Sequence, residues 1–489
     1  MDANPIHVKR TATILRPDQT RVLLRPFSPG DSQHIGRIIA RIMSLPESQV
    51  APLLDEISAE FSQRHQQIRK LFLERFEQVR DPLLTHEKLS EQRQLLIGSY
   101  FVREFSLESA ALFNPSIVPH PDQSDLPPGA LRFILSLRAT GEGHISSITF
   151  RTGIIHADHR IEVQPPTGFL TEPRQIPNPL YEKALFARKL FEVGLTNDYT
   201  LRVMNRLGES FTLEELRTNL ETEVNQFRLS DGLVQEHQNA ARGMWMLARS
   251  NYEVQFQPEQ QLSERIIFPA TPSQRNGIED ARFGCFQNED GTHVYYATFT
   301  AFDGKVVFPE LVETSDFLLF RFITLNGPAA ENKGMAIFPR KINGLYAMLS
   351  RQDNENIYLM FSDNIHFWNE RKALLKPTFP WELVQLGNCG SPIETPAGWL
   401  VLSHGVGPLR KYCIGAFLLD RDNPAKVIGR LREPLLKPNK NEREGYVPNV
   451  VYTCGAILHK GELIIPYGLA DHATSFATVS LDEVLAAMH

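Results

Sequence analysis

Cysteine is scarce in this chain: four residues in 489, Cys285, Cys389, Cys413 and Cys454, widely spaced, with no CxxC pair and no His/Cys group at zinc spacing. That excludes a disulfide framework and a zinc module, and the thiols read as buried groups in a reducing compartment, which places the protein in the cytoplasm. Long apolar runs are missing too. Nothing approaches the roughly 18 residues of a membrane span. Residues 1–25 hold Lys9, Arg10, Arg16, Arg21 and Arg25 but no signal-peptide core. There is no excess of positive charge: the formal net charge is −6, which argues against a nucleic-acid or anionic-membrane partner reached through bulk electrostatics. What is present, 42% hydrophobic and 22% charged residues, is the balance of a soluble globular protein with a substantial core. The length exceeds one typical domain, although one large β architecture could hold most of it.

The hydrophobic period changes along the chain. Residues 1–27 read as an N-terminal β segment around the turn Arg16-Pro17-Asp18-Gln19, and 28–98 as a helical accessory region. In that region Ile35, Ile38, Ile39 and Ile42 share one face of a first helix ended by Ser44-Leu45-Pro46. Leu53, Ile57 and Phe61 begin a second helix that carries on through Ile68, Leu71, Phe72 and Phe76. The apolar faces at 35–76 are candidates for a homo-oligomer contact as well as for packing within the chain. Residues 99–175 turn strand-like. A proline-rich connector then leads into a helical insertion over 176–245, where Thr212-Leu213-Glu214-Glu215 is a capping box. From 246 to 489 short apolar strands recur with turns between them, as in Val294–Phe299, Leu345–Leu349 and Ile357–Phe361. Closely spaced strands over such a length favour a propeller, a sandwich or a large barrel. A propeller is preferred, because its channel gathers polar residues from every blade.

The chemistry concentrates at Asn276-Gly277-Ile278-Glu279-Asp280-Ala281-Arg282-Phe283. Neighbouring side chains of an extended segment point to opposite faces. One carboxylate can therefore face a cleft as an acid while the other anchors backbone or pairs with Arg282, the division of labour that proton transfer needs. A surface turn with a local salt bridge is the other reading of the same residues.

Further motifs sit at strand ends: Phe338-Pro339-Arg340-Lys341-Ile342-Asn343-Gly344 followed by Leu349-Ser350-Arg351; Gly387-Asn388-Cys389-Gly390-Ser391-Pro392-Ile393-Glu394 running into Gly398-Trp399-Leu400 and Ser403-His404-Gly405; Tyr412 with Gly415; and Glu444-Gly445-Tyr446-Val447-Pro448-Asn449 followed by Pro466-Tyr467-Gly468-Leu469-Ala470-Asp471. With the acid pair, and in matching order over about 100–165 and 246–489, they resemble glycoside hydrolase family 130, the β-mannoside phosphorylases and β-mannosidases. The resemblance implies a mainly β fold, a five-bladed β-propeller, with the two helical segments as accessories.

It also implies that Asp280, with Ala281 in place of the family's proline, donates a proton to the glycosidic oxygen, with Glu279 and Arg282 as its neighbours. Asn114 and Ser116 of the Asn114-Pro115-Ser116 segment, together with Asp471, would hold the reacting mannose, and Arg138 and Tyr412 are further candidate sugar contacts. For phosphate the implied cradle is Lys333, Arg351 and His404, with Gln385 standing where the family's phosphorylases carry a lysine. The expected reaction is inverting phosphorolysis of β-mannosides, β-1,2-linked manno-oligosaccharides first, giving α-mannose 1-phosphate. Phosphate is the co-substrate, and no metal or organic cofactor is expected. The alternative is an inverting β-mannosidase in which Glu394 or Glu444 activates water. A non-catalytic sugar-binding propeller is the third reading.

Overall fold

β-Branched and aromatic residues fill the later part of the chain and fold it into strands. The computed structural model describes residues 6–81, 89–176, 180–226, 234–302 and 307–489, and over these the protein is mainly β, with five sheets of four to six strands and two two-stranded ribbons. The first sheet is built on Ala111–Pro119, Leu131–Thr140 and Ser146–Ile155. The second holds Ile278–Gln287, His293–Phe302, Val307–Thr314 and Leu319–Thr324, then Tyr252–Gln255 and Arg174–Ile176, the two strands that bracket the helical insertion. The third runs Lys333–Ile337, Tyr346–Arg351, Ile357–Ser362, Lys372–Leu375, and the fourth Gln385–Asn388, Gly398–Val406, Tyr412–Leu419, Val427–Arg430. In the fifth, Val451–Tyr452, Glu462–Leu469 and Ala473–Ser480 are joined by Lys9–Leu15, so the N-terminal strand pairs with the last strand of the chain.

Hydrogen bonds tie each of these sheets to its neighbours, those at Ser116, Phe283 and Gly334 falling on the edge strands Ala111–Pro119, Ile278–Gln287 and Lys333–Ile337. Phe283 N donates to Ser116 Oγ at 3.0 Å between the first and second sheets. Gln287 N donates to Pro339 O at 2.8 Å between the second and third. Asn388 Nδ2 donates to Gly334 O at 2.8 Å between the third and fourth. Tyr412 N reaches Asn449 O at 3.0 Å between the fourth and fifth, and Cys454 N reaches Pro115 O at 2.8 Å between the fifth and first. Apolar cores fill the spaces between, for example Phe150 of the first sheet against Phe283 and Phe320 of the second.

Three of these edge strands share a defect. Pairing slips by a bulge between Phe113 and Ser116, between Glu279 and Arg282, and between Lys333 and Ala336. Within the bulges Asn114, Asp280 and Gly334 take the left-handed backbone, φ 48°, 55° and 85°. A bulge breaks the two-residue alternation and re-aims the side chain it carries.

Four helices, Ser32–Met43, Glu47–Phe61, Ile68–Val79 and Glu91–Ser99, are described before the first sheet. Asp31 caps the first by accepting from His34 N at 2.8 Å, which satisfies one of its free amides. The single long helix expected after Pro46 is two helices. Gln67 turns the chain with φ 55°, and the intervening Arg64 and His65 are drawn to Glu104 at 3.0 and 2.8 Å. The apolar faces at 35–76 pack inside the chain, Ile39, Ile42 and Phe76 against Leu96 and Ile97, and Phe72 against Leu95. In the insertion both halves of the capping box form: Glu215 N to Thr212 Oγ1 at 3.2 Å, and Thr212 N to Glu215 Oε2 at 2.7 Å. No helix among the described residues is long and apolar enough to cross a membrane.

Candidate active site

Because the sheets are bonded to one another, residues far apart in the chain meet. Asp280 Oδ1 accepts from Asn114 Nδ2 at 2.6 Å and from Arg138 Nη1 at 3.4 Å, while Arg138 Nη2 reaches Glu279 Oε1 at 2.8 Å. The two adjacent carboxylates thus share one arginine, contrary to the opposite-faces argument. The reason is the bulge at 279–282, where Asp280 leaves the extended conformation. Ser146 Oγ and the face of Phe113 complete the seating of Arg138, at 2.9 and 5.1 Å.

Arg282 does not pair with either carboxylate. Its side chain is buried and spends its donors on Cys389 O at 2.7 Å, Asp280 O at 3.0 Å and Tyr452 Oη at 2.6 Å. It locks Ile278–Gln287 to the fourth and fifth sheets and adds a fixed positive charge close to Asp280. Ser116 is also fully buried, its hydroxyl accepting from Phe283 N, so the structure does not bring it to the cluster.

Electrostatics separate the acids. Burial on its own would raise the Asp280 carboxyl, but Arg138, Arg282 and Lys333, with the Asn114 hydrogen bond, outweigh it and hold the group below the usual carboxylate range. Asp471, with left-handed backbone at φ 50°, is pushed up to about 6 by burial and by the Asp280 charge, against the pull of Arg138 and Arg410. Two acids feeling one another thus titrate in separate ranges.

Within electrostatic reach of this acid cluster is a cationic one. Lys333 and Arg351 pair across the third sheet. Arg351 is buried and donates from Nη1 to His404 Nε2 at 3.0 Å. Burial and the positive charges of Arg351 and Arg282 keep the His404 imidazole far below its ordinary value, hence neutral and an acceptor for Arg351. Tyr412 lies parallel to His404 at 6.1 Å and Tyr452 meets it edge-on at 5.0 Å. Gly387 permits the approach: a Cβ there would sit 2.4 Å from His404 Cε1 and 2.8 Å from Arg351 Cδ. Asn114 Oδ1, Arg351 Nε and Asn388 Oδ1 are buried without a hydrogen-bond partner, the arrangement of groups that a bound polar ligand satisfies.

The two carboxylates considered as hydrolytic bases lie apart from these contacts. Glu394 is clamped by Arg340 at 2.8 Å and Arg421 at 3.0 Å, and the hydrogen bond from Arg340, leading the other contributions, holds its carboxyl below the ordinary range. Glu444 is exposed in the segment before Val451–Tyr452. Sequence reasoning missed Tyr452, three residues beyond the motif that ends in Asn449, and Asn388, which lies inside a quoted motif but whose amide ties the third sheet to the fourth.

Residues 226–489 match the glycoside hydrolase family 130 model, described as beta-1,4-mannooligosaccharide phosphorylase. The 1,2-beta-oligomannan phosphorylase of Thermoanaerobacter sp. is 34% identical over 230 residues, 46% of this chain and 75% of that protein. The beta-1,2-mannobiose phosphorylase of Listeria innocua is 34% identical over 228 residues, 45% of this chain and 62% of that protein. The solved structure of beta-1,2-mannobiose phosphorylase from Listeria innocua in complex with beta-1,2-mannobiose superposes with a TM-score of 0.47 at 22% identity, over 78% of this chain and 92% of that one.

Proposed function

The chain belongs to glycoside hydrolase family 130, and on that premise we propose that it is an inverting β-mannoside phosphorylase, splitting β-1,2-linked manno-oligosaccharides with phosphate into α-mannose 1-phosphate and a shortened sugar. The observation that carries this reading is the pairing of an acid wall, Asn114–Arg138–Asp280, with a cationic wall, Lys333 and Arg351. A phosphorolytic site needs converging cations to hold a dianion against the anomeric carbon. Relatives named for β-1,2 linkages support that linkage, although the family description and a Ruminococcus albus relative name β-1,4. The inter-sheet bonds that lead from each sheet to the next and from the fifth to the first support a five-bladed propeller. Four free thiols fit a cytoplasmic setting.

In this reading a phosphate oxygen attacks the anomeric carbon as the glycosidic C–O bond breaks. Asp280 supplies the proton that the leaving oxygen takes up, directly or through a sugar hydroxyl, and is left ionised, the state its cations stabilise. Lys333 and Arg351 hold the phosphate, His404 orients Arg351, and Asn114 and Asp471 hold the mannose. Phosphate also arms the acid: a dianion held by Lys333 and Arg351 offsets the Lys333 charge that helps keep Asp280 low, raising its pKa so that it carries its proton into the reaction. The clamping of Glu394 by two arginines counts against the hydrolytic alternative. The test is incubation with β-1,2-mannobiose with and without phosphate. Phosphate-dependent α-mannose 1-phosphate is expected, and free mannose formed at the same rate without phosphate rejects the proposal.

A further inference from the structure

We propose that the cavity between the helical insertion and the second sheet is a second carbohydrate-binding site, separate from the catalytic cluster and shaped for one neutral pyranose ring. It encloses about 320 Å³, at the small end of the range for small-molecule pockets. One wall is the insertion helix Lys183–Glu192 with the residues that lead into it. The other is formed by Leu319–Thr324 and Tyr252–Gln255, the fourth and fifth strands of the second sheet. The acid pair lies on the first strand of that sheet, Ile278–Gln287. Three to four strand spacings, about 14–19 Å, separate the two.

The wall on the insertion side is fastened in place. Lys189 Nζ donates to Leu325 O at 2.9 Å and pairs with Glu192 at 3.3 Å, and Glu192 Oε1 accepts from Gly327 N at 2.6 Å. Arg188 lies over the ring of Phe367 at 4.5 Å. The helix is thus tied to the turn that follows Leu319–Thr324, and the cavity beside it is a built feature of the fold.

Its chemistry is that of a sugar pocket. Tyr252 and Phe322, stacked at 4.5 Å, and Phe186 supply an aromatic side for the apolar face of a pyranose. Among the described residues the ionic groups that line it are Glu182 and Glu253 against Lys189 and Arg321, two of each sign, with Arg321 Nε on Glu253 Oε1 at 2.7 Å. Burial, with Arg321 adding to it, pushes the His366 imidazole down to about 4, so it adds no charge near neutral pH. The charges cancel, which disfavours an ionic ligand. A hydroxyl both donates and accepts, so neighbouring sugar hydroxyls serve the carboxylate and the cation of one pair together. Two lining residues also hold buried polar atoms without a hydrogen-bond partner, Asn326 Oδ1, in a side chain 4% exposed, and His366 Nε2. A bound polar molecule satisfies such atoms.

Hydrogen exchange of the full chain, read peptide by peptide, tests the site, because it separates binding here from binding of the same sugar at the catalytic cluster. At a mannose concentration about twice its dissociation constant, exchange in Lys183–Glu192 and Leu319–Thr324 is expected to slow about threefold. α-Mannose 1-phosphate should leave both segments unchanged. Leu185→Trp, which fills the cavity, and Arg321→Met, which removes a paired cation from its exposed side, should each abolish the effect of mannose. Phosphate-dependent turnover of β-1,2-mannobiose should stay within about twofold in both, since neither residue touches the catalytic cluster. If Leu185→Trp does not fold, Arg321→Met decides. No slowing in the wild type, slowing confined to the strands around Asp280, or slowing that survives in the variants overturns the site. Equal slowing by α-mannose 1-phosphate overturns the neutral-sugar assignment. The exchange measurement needs no turnover, so its outcome is independent of whether the phosphorylase reading holds.

Discussion

Replacing Arg138 by methionine removes the charge shared by Glu279 and Asp280 while keeping an unbranched side chain over Phe113. At 3.4 Å and an effective dielectric near 20, the bare Coulomb attraction of the Arg138–Asp280 pair is about 5 kcal/mol. A carboxylate beside an arginine is typically lowered by about 1–3 units, about 1.4–4 kcal/mol. Arg282, Lys333 and Asn114 still act on Asp280, so the lower part of that range applies and the carboxyl should rise by about 1–2 units. Asp471, already near 6 and lowered by Arg138, should rise as well. The assay is the pH dependence of kcat/KM for β-1,2-mannobiose at saturating phosphate, with a 13C titration of the Asp280 carboxyl. The limb belonging to the acid should move to higher pH by that amount, and Arg138→Lys should move it by less than about half a unit. Removing one partner of a largely buried pair also lowers stability at neutral pH, by about 3–5 kcal/mol. A limb and a titration that stay within about 0.3 unit of the wild type refute the claim that Arg138 sets the potential at the acid.

Asp280→Asn should cut phosphate-dependent turnover by about 10²–10⁴-fold, the usual worth of a general acid, with the melting temperature little changed. Gly387→Ala should raise KM for phosphate by at least about tenfold, because its Cβ collides with His404 and Arg351, a displacement worth about 1.4 kcal/mol or more; the mannoside KM should change much less. Glu310 is buried under the 271–277 turn that leads to the acid pair, accepting from Ser273 Oγ at 2.9 Å and Gln274 Nε2 at 2.8 Å, and burial pushes it up to about 7. A carboxyl raised in the folded state stabilises fully below its unfolded value of about 4.5 and loses that contribution as pH climbs through 7. Glu310→Gln, which lacks the titration, should therefore gain stability relative to the wild type across that window, by up to about 3 kcal/mol in denaturant titrations.

The order of the motifs, the capping box at Thr212 and Glu215, the predominance of strand and the family could all be read from the sequence, because each is carried by residues close together in the chain. Asn114, Arg138, Asp280, Lys333, Arg351, His404 and Asp471 could be picked out as candidates from their motifs. Their partners could not. The alternation rule assigned Glu279 and Asp280 to opposite faces, yet a bulge with left-handed backbone turns both to Arg138. Arg282 stood in the motif as a partner for the acid, and the packing of three sheets made it a buried lock on Cys389 and Tyr452. His404 stood as a phosphate contact, and burial beside Arg351 made it a neutral acceptor. Motif order and family resemblance picked out the candidate site residues. Charge state, orientation and pairing were decided by tertiary structure, because they depend on burial and on cations brought from other sheets.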